Sequence, residues 1–390
     1  MASSSLTIIG IFPELLGIGG VQESGRQTAR ALDAIARKRG WDVQIFTLND
    51  LFGEHRLPSP DHDICFCGFS RKKISFLVHM IRHRLFSKRG GVRIVIAGHP
   101  NLAFPAWMMK IFSRSVKTIV MAHGVEVWTR LHWLKRNAIL HADLVLGPSV
   151  DTVDKLIGIQ SIPPGKVRKL AWSLSSMFLS IAEQPALLTL PQGFPKGRVV
   201  LTVGRWAAAE RYKGLDELLK ATALLRATLP SLHLVVVGQG DDLPRLRKLA
   251  LDCSVADSVH FLGNISRDEL AACYAHAEVF AMPSTGEGFG LVFLEAMAFA
   301  KPVIATACGG TTDLVENGIN GLLVPPGDIQ KLTEAINSLL TNDTFRITLG
   351  RHGADLVRRK YRFEDFKVEL EGVLRELGDS YSITVAQKHA

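Results

Sequence analysis

The sequence predicts an α/β protein made of two doubly wound domains in tandem. Three observations carry that expectation. Short apolar runs alternate with longer helix-forming stretches along most of the chain, the pattern of parallel strands covered by helices on both faces. The runs end in glycine or polar turns, the end of such a sheet where ligands gather. The alternation breaks between residues 172 and 197, where Pro185, Pro191 and Pro195 stand among small residues, and then begins again. A length of 390 residues suits two domains, and 47% hydrophobic content is ample for two cores.

In the first half, residues 6–12 read as a buried strand, followed by the loop of Gly17, Gly19 and Gly20 and a helical pattern over 22–39. Strand, glycine loop and helix open a dinucleotide-like unit. Gln22 stands where the third glycine of G-x-G-x-x-G would fall, so NAD is disfavoured, while close approach of the backbone to a ligand is retained. Further strands are expected at Asp42–Thr47, 63–67, 92–97, Val116–Met121 and Leu144–Gly147, the fourth of these ending in His123 and Gly124. In the second half, Arg198–Val203 ends in Gly204 and Arg205, a loop carries Arg211, Lys213 and Gly214, and a helix covers 215–225. Strands follow at 233–237, ending in Gly238, and at 259–262, ending in Gly263 and Asn264. Helix Arg267–His276, strand 302–306, strand Gly321–Val324 and helices at 329–340 and 363–377 complete the series. The expected boundaries are a first domain at 1–175, a linker at 176–197, a second domain at 198–362, and a C-terminal helix from 363 that packs back toward the first domain and ends in a loose tail beyond Tyr381.

Residues 279–302 concentrate the chemistry. An apolar strand at 279–282 runs through a loop with three glycines at 284–290 into a helix at 291–300. A glycine loop feeding a helix N-terminus offers unpaired N–H groups and a partial positive charge to a phosphate. Glu287 and Glu295 flank that seat. If the whole stretch were helical they would stand about 12 Å apart along the axis, too far to share a proton and suited to two ends of an elongated ligand. A glycine-tightened turn with two solvent-facing glutamates is the alternative for the stretch taken alone.

Composition narrows the function classes. The five cysteines are odd in number and scattered, and Cys65 and Cys67 form C-x-C rather than a zinc or redox pair, which suits reduced thiols in a cytosolic protein. The run at 6–12 is too short and lacks the basic flank of a signal peptide, and no segment offers the roughly 18 apolar residues of a membrane span. Net charge is +9, and residues 64–125 hold eleven Lys or Arg and no Asp or Glu. There Ile74, Leu77, Val78, Ile81 and Leu85 form a helical apolar stripe beside Arg82, Arg84, Lys88 and Arg89. Such a basic amphipathic helix suits an anionic membrane surface, and equally an ordinary helix packed on its own sheet. No nucleic-acid-binding signature is present. Asp61-His62-Asp63 has a metal-binding spacing but sits at the start of a strand, the wrong end for a ligand, and reads as a solvated turn.

Four motifs together resemble the retaining glycosyltransferases of family 4. They are Gly19-Gly20-Val21 after the first strand, HGVE from His123, Gly204-Arg205 with Tyr212-Lys213-Gly214, and EGFGLVFLE from Glu287 to Glu295, an E-x7-E motif. The resemblance implies a GT-B fold, two Rossmann-like doubly wound domains facing a central cleft, with donor in the second and acceptor in the first. It implies that Arg205 and Lys213 hold the diphosphate of a nucleoside diphosphate sugar. Preorganised cations there stabilise the charge that grows on the leaving group. By the same resemblance Glu295 binds the donor ribose, Glu287 faces the transferred sugar, and Gly288, Phe289, Gly290 and Leu291 sit under the phosphates. Gly19 and Gly20 approach the diphosphate, His123 stands beside the reacting sugar, and Gly238 and Asn264 lie near the base.

The implied reaction is hexose transfer with retention. Retaining glycosidases hold two carboxylates about 5–5.5 Å apart for a covalent intermediate, and Glu287 and Glu295 are not arranged for that. Front-face attack without a protein nucleophile, the leaving phosphate taking the acceptor proton, is the mechanism implied. No cofactor and no metal is expected. The expected partners are the UDP- or GDP-sugar donor, a lipid-linked or growing saccharide acceptor, and an anionic membrane surface, with no nucleic acid. The expected location is cytoplasmic, peripheral at the inner face of the cell membrane. A sugar-nucleotide epimerase or hydrolase of the same fold, or a non-catalytic module binding nucleotide sugar or membrane, are the rivals.

Overall fold

The computed structural model describes residues 6–60, 62–86, 93–113 and 115–386. The chain divides into two compact units, Met1–Ser173 with Phe363–Ala390, and Leu174–Arg362.

The first unit runs β1 (Thr7–Phe12), α1 (Gly20–Arg39), β2 (Asp42–Thr47), β3 (Gly53–Leu57), β4 (Ile64–Gly68), α2 (Lys73–Phe86), β5 (Arg93–Ala97), α3 (Ala103–Ile111), β6 (Val116–Met121), α4 (Trp133–Leu140), β7 (Leu144–Gly147), α5 (Val150–Gly158) and β8 (Val167–Lys169). Its eight strands are ordered β3-β4-β2-β1-β5-β6-β7-β8. All ladders are parallel except β3 with β4, a short antiparallel edge. Every residue of β1 is buried, as a central strand covered on both faces requires. Helix α1 buries Ala29, Leu32, Ile35 and Ala36 on one face and ends at Gly40, whose φ of +66° only glycine adopts freely. The strand order reverses between β1 and β5, so the crevice lies beyond their carboxyl ends, at the Gly19–Gly20 loop and at His99.

The second unit runs α6 (Ser176–Glu183), β9 (Arg198–Val203), a 3₁₀ turn (Ala208–Lys213), α7 (Leu215–Arg226), β10 (Leu232–Val237), α8 (Leu243–Asp252), β11 (Val259–Gly263), α9 (Arg267–His276), β12 (Val279–Ala281), α10 (Leu291–Ala298), β13 (Val303–Thr306), β14 (Gly321–Val324), α11 (Ile329–Thr341) and α12 (Asp343–Lys360). Its six parallel strands are ordered β11-β10-β9-β12-β13-β14. The reversal here falls between β9 and β12, which places the loops after these two strands side by side. Val200, Leu234, Val236, Val279 and Ile304 from the sheet pack with Leu218, Leu219, Ile336 and Leu339 from α7 and α11 as the core. The last helix, α13 (Phe363–Ala386), returns to the first unit, where Phe366 packs 5.8 Å from Trp172 and Glu371 pairs with Lys38 and Arg39.

Several expectations are corrected. Strands β3 and β8 were not foreseen: β3 (GEHRL) lacks the apolar run of a central strand because it is an edge, and β8 has only three residues. Residues 176–183, read as linker, form α6. Ser175 caps it by accepting from Phe178 N–H at 3.2 Å, and Phe178 packs against Tyr274 and Phe299 of the second unit. Helix α12 was not foreseen, and Gly350 and Gly353 lie within it. They let it approach closely: a β-carbon at Gly350 would stand 2.0 Å from the Ala300 carbonyl oxygen, and one at Gly353 would stand 2.9 Å from Met297. Helix α13 continues to Ala386, past the expected end at Leu377 and through the start of the expected tail. The expected apolar stripe of α2 is not its buried face: Ile74 is 81% exposed and Val78 exposed, Leu77 and Ile81 are half-buried, and the buried residues are Phe76 and Met80, while the Leu85 side chain lies outside the described residues.

Candidate active site

The site in the second unit is built by backbone packed on backbone. Beyond β9 the chain turns through Gly204, Arg205 and Trp206. Trp206 is buried and donates its indole N–H to Val237 O at 3.0 Å. At Gly238, with φ +116°, a β-carbon would stand 1.8 Å from Gly204 O, so glycine is what lets the ends of β9 and β10 close together. The 3₁₀ turn is anchored from behind by Asp242, which accepts from Arg211 and from Arg245, while Arg245 also makes a two-pronged pair with Asp216 at 2.7 Å. Those guanidinium groups hold the Asp242 carboxyl down at about 2.

Two contacts then join this turn to the loop after β12. Thr285 N–H donates to Tyr212 O at 2.7 Å. Gly214, with φ +78°, lies so near Pro283 that a β-carbon would stand 2.2 Å from its carbonyl oxygen. Lys213 is thereby fixed beside Glu287. Burial lowers the Lys213 pKa, which the Glu287 carboxylate opposes and the Arg205 guanidinium reinforces. Glu287 keeps part of its surface open but is crowded by protein, and that desolvation pushes its pKa up against the pull of Lys213.

The loop carrying Glu287 rests on Gly309 and Gly310. Gly310 N–H donates to Glu287 O at 2.6 Å, and a β-carbon there would stand 2.3 Å from Gly288 O. Ser284, fully buried, donates to Gly286 O at 2.8 Å and locks the turn. Gly290 opens α10 with φ +99° and no side-chain cap, so the N–H groups of the first turn at Leu291 are not taken by a capping side chain. Phe289 lies in this loop with its side chain buried, 6.0 Å from Tyr361, so only its backbone is left to meet a ligand. Glu295, one turn into α10, accepts from the buried Tyr274 hydroxyl at 2.8 Å, and burial with that neighbouring carboxylate raises the Tyr274 phenol well above its ordinary range. Asn264 is exposed beyond β11.

In the first unit, Gly19 has φ +143° and Gly20 opens α1 with no neighbour within 4 Å of a notional β-carbon. Arg26 donates to Leu15 O and Gly17 O at 2.9 and 2.8 Å, and Asp50 accepts from Leu15 N–H at 2.8 Å, so the glycine loop is clamped from both sides. His123 is sandwiched between His99, 5.5 Å away, and Trp172, 5.3 Å away. Its Nε2 lies 2.8 Å from Gly98 O, which can only accept, and its Nδ1 lies 3.3 Å from Ser24 Oγ. Both ring nitrogens are engaged within the unit, so what His123 offers a ligand is its ring edge and backbone. Burial and the neighbouring His123 lower the His99 pKa to about 4.

Of the basic residues on α2, Arg82 is exposed. The Arg84 side chain, Lys88 and Arg89 lie outside the described residues, as does Asp61. His62 lies 2.9 Å from Asp33. Among the described residues no group of three or more His, Cys, Asp or Glu could hold a metal ion, and no helix is long and apolar enough to cross a membrane. Sequence reasoning missed Glu210, Trp206, Asp242, Tyr274, Ser24, His99 and Trp172. Only Glu210 carries a local signal, three residues before Lys213 on a helical turn; the rest are partners supplied by other elements.

Residues 191–355 match the family described as glycosyl transferases group 1. A GDP-mannose-dependent α-(1-6)-phosphatidylinositol monomannoside mannosyltransferase of Mycobacterium tuberculosis is 38% identical over 170 residues, 42% of this chain and 44% of that protein. The match thus spans less than half the length of that relative. An α-D-kanosaminyltransferase of Streptomyces kanamyceticus is 27% identical over 75% of this chain and 73% of its own length. The solved sucrose-phosphate synthase of Thermosynechococcus elongatus superposes with a TM-score of 0.77 at 24% identity, covering 97% of this chain and 100% of that one, which shows the same GT-B fold. Residues 191–355 thus carry a domain of the group 1 glycosyltransferase family.

Proposed function

We propose that the protein is a retaining glycosyltransferase that moves a hexose from a UDP- or GDP-sugar to a lipid-linked or growing saccharide acceptor. The observation that carries this reading is the meeting of Lys213 with Glu287. Pro283 against Gly214 brings two half-buried, opposite charges to the N-terminus of α10 at the reversal of strand order. Arg205 and Lys213 then take the donor diphosphate and stabilise the charge it gains as the glycosidic bond breaks. Glu287 faces the transferred sugar, and Glu295, steadied by Tyr274, takes the ribose hydroxyls. The leaving phosphate accepts the acceptor proton, and no protein nucleophile forms a covalent intermediate. In the first unit the resemblance assigns Gly19 and Gly20 to the diphosphate and His123 to the reacting sugar.

The exposed face of α2 supports an anionic membrane as the acceptor's setting: Ile74 and Val78 stand out beside Arg71, Lys72, Lys73 and Arg82. Charge reversal at Lys72, Lys73 and Arg82 should abolish co-sedimentation with anionic vesicles at low salt. Unchanged recovery would remove the membrane from the reading.

Donor identity is tested by thermal unfolding with UDP-, GDP- and ADP-sugars, GDP-mannose first given the mycobacterial relative. A donor at 100 times its Kd adds about 2.7 kcal/mol of stability. The stabilising donor should then be consumed quickly only with acceptor present. Full-rate consumption of donor alone would mean a hydrolase or epimerase instead.

A further inference from the structure

Resting on that reading of the site, we propose that Glu210 is a positioning residue that competes with the donor diphosphate for Arg205 and Lys213, and must release both before the diphosphate is held. Its two carboxylate oxygens are divided between the two cations: Oε1 pairs with Arg205, and Oε2 lies 3.1 Å from Lys213 Nζ. The carboxylate is well covered, its side chain 11% exposed, whereas Arg205 is 74% exposed. The backbone is compatible with that placement. Glu210 breaks the 3₁₀ turn with φ −119° and ψ 25°, while Lys213 is held by the turn at Gly214. So Lys213 and the Glu210 carboxylate are the covered partners, and the arginine is the exposed one.

The electrostatics follow. Arg205 and Lys213 are like charges that repel, Lys213 is also largely covered by protein, and a shared carboxylate offsets that cost. The same carboxylate removes one of the two positive charges that an incoming diphosphate needs, and adds like-charge repulsion at short range. Glu210 therefore keeps Arg205 and Lys213 together at the expense of diphosphate affinity, and by the same term speeds departure of the nucleoside diphosphate product.

The test is titration of UDP, GDP and inorganic pyrophosphate into wild type, Glu210→Gln and Glu210→Asp, with donor KM and kcat measured alongside. Glu210→Gln should bind the preferred nucleoside diphosphate about fivefold to tenfold more tightly, with a lower donor KM and no gain in kcat. The tightening should shrink at high salt, as a coulombic effect must. Glu210→Asp keeps the charge and should stay within about twofold of wild type. If Glu210→Gln does not fold, Glu210→Ala reports the same sign. Weaker or unchanged binding in the neutral variants would show that Glu210 is only a scaffold and overturn the proposal. If wild type itself binds none of the three probes, the donor reading fails first and Glu210 is not the reason.

Discussion

Burial disfavours the charged forms of Lys213 and Glu287, and each opposes that shift in the other. Replacing Lys213 by alanine should lower kcat about 10²-fold or more, because a preorganised cation is lost where charge develops in the transition state. Burial has already moved the lysine below its ordinary range, so nucleotide affinity should decline on the alkaline side earlier than a free lysine would allow. Glu287 raises that pKa, so Glu287→Gln should move the decline to still lower pH. An unmoved alkaline limb, read by nucleoside diphosphate titration across pH, would show the two are uncoupled. Asp242 works in the other direction. Its folded pKa of about 2 lies below the ordinary 3.8, so it contributes stability that is present above 3.8 and lost as pH falls toward 2. Asp242→Asn should cost about 2 kcal/mol at neutral pH by urea unfolding, and should flatten the acid side of the stability curve over that window.

At the scale of elements, what makes the site is the order of strands and the glycines that let loops touch. Gly214→Ala places a β-carbon against Pro283 O at a positive φ. It should reduce stability by about 1–3 kcal/mol and lower activity at least tenfold, with part of the loss in donor KM as Lys213 is pushed away. Melting temperature and steady-state kinetics on the same preparation separate the two effects. This is also the scale at which the sequence was most and least readable. Helix Arg267–His276 and strands β9 and β14 were placed to the residue, because their apolar period and bounding turns agree. Helix α12 was invisible for the opposite reason: its glycines serve a neighbour, Ala300 and Met297, that local pattern cannot reveal.

Across the molecule, the C-terminal helix belongs to the unit in which the chain begins. Phe366, Leu370, Val373 and Leu374 are buried, and Glu371 pairs with Lys38 and Arg39 of α1. Trp172 is held between Phe366 and the ring of His123. Ending the chain after Arg362 should therefore destabilise the first unit and loosen His123, while leaving the second unit's fold and its nucleotide binding in place. Limited proteolysis with nucleotide titration would show this, and a truncated chain with wild-type activity would refute it. The sequence by itself determined the tandem α/β class, most of the central strands, and the residues proposed for the seat, since Arg205, Lys213, Glu287 and Glu295 stand in local motifs whose residue types the proposed chemistry requires. Only the tertiary structure decided what each of them touches. That Glu210 divides itself between two cations, that Tyr274 steadies Glu295, and that both nitrogens of His123 are engaged depend on contacts between strand ends and helices distant in sequence, and such contacts are set by packing rather than by local pattern.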